Sequence, residues 1–372
     1  MATAVKEKTD KKPNNALKPQ QSVARKTYLE VMRIIAAFLV IVNHTNSDVF
    51  LKMSEPPSFT WYFSLTYFYI SKIAVPVFFM IMGGLLLQKV DPVKKSLQRI
   101  GRAVAVALIY SGVYYYYFHS DFYYKQFNAT PPEMSFKEFF KMIFTSRATN
   151  AFWYLYAYIG LLILLPILQR LAQGLTKGSN LYLVILSVGV MGIIPLINIF
   201  HQIKPHNYLT DDFITPHIGM LFLGLYIEKH LKIDYKIFIG AIAGFALTLT
   251  FNIVKTYEFY QENPESFVFI DNWRYLNITF MSLCFYIIIK HLANYIKTGK
   301  TVSNVICYIG SLTFGVYLIS DLVIHITRKF YTELQLDMKI IPATILWELV
   351  IFGICAAVTA ILKLIPGFKK LI

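Results

Sequence analysis

Two side chains in the first apolar stretch could do chemistry together. Arg33 and His44 stand eleven residues apart in "YLEVMRIIAAFLVIVNHTNS" (28–47), with no charged residue between them. Imidazole changes charge near neutral pH and serves as a general base or a nucleophile. Guanidinium keeps its charge and pairs with phosphate or carboxylate oxygens. On a helix, eleven residues are about three turns, so both side chains share a face, roughly 16 Å apart along the axis. Glu30 precedes Arg33 by three residues and can hold its guanidinium. Asp48 follows His44 by four and can reach the ring. A plainer role fits equally: Arg33 as an anchor snorkelling to an interface, His44 as the end of a span.

The elements that position this pair are membrane helices. Of the 372 residues, 56% are hydrophobic and only 15% charged. That balance excludes an ordinary soluble domain. Apolar segments predict an all-α, polytopic integral membrane protein of about ten helices: 28–50, 61–88, 97–118, 152–172, 180–200, 214–229, 235–255, 273–291, 303–326 and 340–365. Residues 1–27 read as a basic, disordered cytoplasmic tail, and 28–372 as one ten-helix membrane domain. With the N-terminus inside, 23 Lys and Arg fall on the cytoplasmic side and 10 outside, so both termini are expected in the cytoplasm. The net charge of +15 then points to anionic lipid and not to nucleic acid. In the connection 119–150, "FKEFFKMIF" predicts a short amphipathic helix on the membrane surface.

Other charges mark further candidate sites. Lys95, Arg99 and Arg102 cluster at the cytoplasmic start of the third segment, where positive-inside bias alone would also put them. Lys72, Arg274, Asp321 and Glu348 fall in or beside spans, where ionisable groups are costly and are functional or paired. They are expected to line one outward-opening polar cavity with His44, although pairing of Arg274 with Asp321 or Glu348 fits as well. Trp153, at the outer start of the fourth segment, is a belt residue or a sugar-stacking platform. The three cysteines have no metal-ligand or CxxC spacing. His201, His206 and His217 are not spaced as metal ligands, and no metal is expected.

The first segment resembles acyltransferase family 3, whose signature is Arg or Lys, ten residues, then His, with an acidic residue upstream. "VPVFFMIMGGLLL" (75–87), "RIGR" (99–102), "FWYLYAYIGLLILLPIL" (152–168), "GMLFLGLYIEK" (219–229) and "IGSLTFGVYLIS" (309–320) follow in family order. Met82, Ala151, Ser320 and Asp321 depart from the family pattern. The resemblance implies transfer of an acyl group, usually acetyl, from cytoplasmic acetyl-CoA to a hydroxyl of a surface polysaccharide or lipid-linked glycan outside. Arg33, Lys95, Arg99 and Arg102 would hold CoA phosphates. His44 would act as general base or carry the acyl group, with Arg33 and Glu30 as its partners. Lys72, Trp153, Arg274, Asp321 and Glu348 would face the acceptor. The competing readings are a polysaccharide exporter or small-solute transporter, and a sensor or assembly subunit with a decayed site. The absence of a repeat between the two halves weighs mildly against transport. A homo-oligomer stays open. Lysine outnumbers arginine 28 to 8, which hints at an AT-rich coding genome and a Gram-positive host, and a bacterial plasma membrane is the expected location.

Overall fold

A computed structural model describes residues 19–50, 58–125, 128–145, 148–201, 215–262, 270–296 and 298–372, with side chains of the first helix described over 27–45. Among the described residues, every regular element is helical. Apolar solvent forces this, because a helix satisfies its backbone N–H and C=O groups internally.

The first helix, α1, runs Pro19–Phe50. It starts eight residues before Thr27, so 19–27 of the expected tail are helical; residues 1–18 lie outside the described residues. The segment expected as one helix over 61–88 is two: α2 (Phe59–Ser71) and α3 (Ala74–Leu86). Pro76 explains the interruption. It has no N–H to continue the ladder and its ring crowds the carbonyl four residues back, at Lys72. Lys72 therefore sits at the corner between two helices. Next come α4 (Val93–Phe118), the four-residue α5 (Asp121–Tyr124) and α6 (Phe136–Thr145). α6 is the expected amphipathic helix: Phe136, Phe140 and Phe144 recur every four residues and all are exposed.

α7 (Trp153–Gly174) follows a single 3₁₀ turn at Asn150–Phe152. α8 (Lys177–Val184) and α9 (Met191–His201) are joined by a π turn at Ile185–Val190. The chain continues through α10 (Pro216–Lys229), α11 (Tyr235–Glu262), α12 (Leu276–Leu292), α13 (Lys300–Asp337) and α14 (Ile340–Leu362), and closes with α15 (Phe368–Leu371).

Among the described residues, seven stretches are long and apolar enough to cross a membrane, against ten expected: Thr27–Thr45, Phe59–Leu86, Asn150–Gly174, Lys177–His201, Tyr235–Glu262, Lys300–Asp337 and Ile340–Leu362. The other three differ for physical reasons. α4 carries Tyr110 and Tyr114 to Tyr117, which lower its hydropathy. α10 has 14 residues, about 21 Å of helix, and α12 has 17, about 26 Å, against about 30 Å of hydrocarbon.

α1 packs on α13, and α13 on α14. Tyr331 stacks on Trp347 at 4.2 Å and 11° to fasten the last pair. α3 crosses α10 with almost no side chain between them. A Cβ at Gly83 would come within 1.9 Å of the Leu221 carbonyl oxygen, and one at Gly224 within 1.9 Å of that of Met80. Where water gives no driving force between helices, such small-residue contacts let backbones approach closely.

Candidate active site

One face of α1 lines a cavity of about 590 Å³. Arg33, Val40, Asn43 and His44 all reach it, so the three-turn spacing read from the sequence becomes one wall. The α2–α3 corner contributes Ser71, Lys72 and the α3 face with Phe78 and Met82. The remaining walls are Ala151, Trp153, Tyr154 and Tyr158 around α7, the connection Asp271–Trp273, and the α13 stretch from Gly310 to Tyr317.

At one end, Arg33 is held by Glu30 at 2.8 Å. Glu30 in turn lies against Gly310: a Cβ there would come within 2.3 Å of its Oε2 atom. Gly310→Ala is therefore expected to push the Glu30 carboxylate, and with it Arg33, out of place. A displacement near 1 Å at a positioning group costs on the order of 10²-fold in rate. Acyl-transfer kinetics of the folded variant would check this.

Beside that end is a second pocket of about 160 Å³, lined by Leu86, Arg99, Arg102, Ala103, Tyr158 and Phe314. Leu86, Tyr158 and Phe314 line both spaces and form the neck between them. The charges of Arg99, Arg33 and Arg102 all act on the Tyr158 hydroxyl, so the three guanidinium groups converge on this neck. Arg99 is held at 2.8 Å by Asp91, which also takes Lys95 at 3.0 Å. Lys95 is nearly half exposed and lines neither space. Gln169 fastens the same corner, accepting from the Asp91 N–H at 3.0 Å and donating to Leu86 O at 2.8 Å.

Burial works to raise the Asp91 pKa, but hydrogen bonds from Lys95, Arg99 and Gln169 and the Arg99 charge overcome it, holding the carboxyl well below the usual carboxylate range. A depressed native pKa adds stability that is fully present above the unfolded value of about 3.9 and is lost as pH falls through the native one. Asp91→Asn is expected to cost about 2 kcal/mol at neutral pH, the range for a hydrogen bond to a charged group. It should also flatten the fall in thermal stability below about pH 4. Unfolding in detergent across pH would test both.

At the far end, His44 lies within the fields of Asp321 and Lys72. Lys72 pairs with Asp271 at 2.9 Å and sits over the Phe68 ring at 4.1 Å. Trp153 and Trp273 stack with ring centroids 5.5 Å apart and 15° between planes, and His217 meets the edge of Trp273 at 4.8 Å. His217 also meets the Phe79 ring at 5.2 Å, while His206 lies outside the described residues. The side chain of Asp48 is also outside them.

Not all the expected charges line this cavity. Asp321 accepts from Thr149 behind the wall. Glu348 is fully buried, with Oε1 accepting from Thr45 at 2.6 Å and Oε2 from Tyr67 at 2.6 Å. Those hydroxyls bind α14 to α1 and α2, which accounts for a carboxyl there without the cavity. Arg274 is not a lining residue; its backbone N–H donates to Asn272 Oδ1 at 3.0 Å. Met82 and Ala151, two of the departures from the family pattern, both line the cavity.

Three contributors went unread in the sequence. Asn43 precedes His44 and its Oδ1 is buried with no hydrogen-bond partner among the described residues. Polar character beside the histidine was its signal. Asp271 and Trp273 lie in a connection with no periodic pattern, so only their tertiary position reveals them.

The arrangement can bind an anion at one end of a channel and move a proton at the other. Searches of curated proteins and of solved structures return no match. The family model for the acyltransferase domain, acyltransferase family 3, matches residues 26–364, which take in both ends of this channel, and the chain belongs to that family.

Proposed function

We propose that the protein transfers an acetyl group from cytoplasmic acetyl-CoA to a hydroxyl of a surface polysaccharide or lipid-linked glycan on the other side of a bacterial plasma membrane. The observation that carries this reading is the continuous cavity from Arg33 to His44, with the Arg99 and Arg102 pocket adjoining its Arg33 end. CoA is anionic at its nucleotide end and carries its thioester on a long, thin arm. Guanidinium groups suit the phosphates. The axial distance from Arg33 to His44, roughly 16 Å, suits the arm.

In this reading His44 takes the proton of the acceptor hydroxyl as its oxygen attacks the thioester carbonyl. The new C–O bond forms, the C–S bond breaks, and His44 returns the proton to the departing CoA sulfur. The charges of Asp321 and Lys72 both reach the ring through space. Trp153 and Trp273 offer flat apolar faces of the kind sugar rings stack on.

The same reading has α4, α10 and α12 cross the membrane with the seven longer stretches, which gives an even count and keeps both termini in the cytoplasm. The charge asymmetry across the loops supports this side for the donor end. The test is free CoA release from acetyl-CoA by purified protein, with and without host glycan. Glycan-dependent release accompanied by base-labile acetyl on the glycan is expected. Movement of glycan or solute across proteoliposomes with no CoA release would replace this reading with transport.

A further inference from the structure

Among the described residues, a cation beside the channel has no acidic partner. Lys363 lies one residue past the end of α14 and turns back onto α13. Its Nζ donates to the Ser311 carbonyl at 2.6 Å and lies 3.2 Å from Ser311 Oγ. Ser311 lines the main cavity. Phe314, one turn further along α13, is part of the neck shared with the Arg99 and Arg102 pocket. Ser311, which Lys363 holds, thus stands about one turn from the neck, near 5 Å along the helix axis, and Lys363 itself lines neither space.

Several other cations of the chain have their charge met by a carboxylate. Arg33 has Glu30, Lys95 and Arg99 share Asp91, and Lys290 faces Glu228 at 3.4 Å. Among the described residues, Lys363 bonds only the neutral oxygens of Ser311. An ammonium has three donors, and Ser311 takes at most two. One donor and a full uncompensated charge remain, while partial burial lowers its pKa by desolvation. An ammonium held this way gains most from an anion that enters the mouth.

We infer that Lys363 is a donor-binding residue that contacts a phosphate of CoA, reaching it from α14 while Arg99 and Arg102 reach from α4. Lys363 has this role only if acyl-CoA is the donor proposed above, and the test separates the two. A further consequence is that recognition is charge-specific: pantetheine, which has the arm without the nucleotide phosphates, should not sense Lys363.

The experiment is calorimetric titration of the full-length, detergent-solubilised protein with CoA and with pantetheine, for wild type, Lys363→Gln and Lys363→Arg. Matched thermal unfolding of the three proteins serves as the folding control. Wild type is expected to bind CoA more tightly than pantetheine. Lys363→Gln should weaken CoA about tenfold, the size of one charged hydrogen bond, and leave pantetheine within about twofold. Lys363→Arg should recover most of the CoA affinity, since it keeps the charge. If wild type prefers CoA and Lys363→Gln keeps that preference unchanged, Lys363 is only an interfacial anchor and the inference falls alone. If Lys363→Gln weakens both ligands equally, its effect is structural and the inference also falls. If wild type binds CoA no better than pantetheine, the acyl-CoA reading falls and takes this one with it.

Discussion

His44→Ala is expected to lower acyl transfer by about 10²- to 10⁴-fold while leaving CoA binding within a few-fold of wild type. The two ends of the channel predict this split. The groups proposed to bind phosphate lie at the Arg33 end, roughly 16 Å along α1 from the imidazole, so removing the ring leaves them in place. His44 also lines a cavity, so alanine enlarges an existing space. Single-turnover acetyl transfer and CoA titration on the same preparation measure the two halves. The pH profile adds a second readout. A general base must be neutral to work, so wild-type kcat/KM should rise with pH through the histidine titration, and the variant should lose that limb. Asp321→Asn should lower the rate by less, because Asp321 acts on the ring only through space and is itself tied to Thr149. Loss of CoA binding in a folded His44→Ala protein would mean that the histidine belongs to the donor site and would overturn the assignment.

The second large effect is on the fold. Gly83→Ala and Gly224→Ala each drive a Cβ to 1.9 Å from a carbonyl oxygen of the opposing helix, and a backbone atom cannot rotate aside. The α3–α10 crossing must open. Overpacking of this kind costs about 1–3 kcal/mol where neighbours can yield, and here they are main chain, so the upper end or more is expected. The readouts are the yield of monodisperse protein and the unfolding midpoint in detergent. Both substitutions separate the same two helices, so the double variant should be less damaged than the sum. Gly160→Ala is the contrast. Nothing lies within 4 Å of its built Cβ, and alanine is the better helix former by about 1 kcal/mol, so a neutral or slightly stabilised protein is expected. Equal tolerance at all three positions would mean that α3 and α10 do not meet as described.

Much of this was legible in the sequence, and the limits have physical causes. Hydropathy reports how a segment meets lipid, so the apolar helices were readable, while the tyrosines of α4 and the shortness of α10 and α12 blur the count. The period of 3.6 put Arg33 and His44 on one face of α1, and the shared cavity bears that out. Pro76 was visible too, yet the corner it makes at Lys72 depends on where the neighbouring helices let the chain turn. The buried charges were the least legible. A carboxyl in an apolar run signals only that something satisfies it. For Glu348 that is two hydroxyls, Thr45 and Tyr67, each more than 280 positions away in the chain, which no local pattern records. Asp271 and Trp273 lie in a connection, where side-chain direction follows from tertiary structure alone. The amphipathic α6 stood out because its period and its exposed face carry the same information.

The cavity also has an electrical meaning. A partly polar hollow of about 590 Å³ has room for several water molecules. Filled with water, it would put a high-dielectric medium along the α1 face between Arg33 and His44. Leu86, Tyr158 and Phe314 line both this cavity and the smaller pocket, so they stand where the two spaces meet. Moving one elementary charge through the full potential is worth about 2.3 kcal/mol per 100 mV. A charge moved between the two spaces would meet that work at these three side chains to the extent that the voltage falls there.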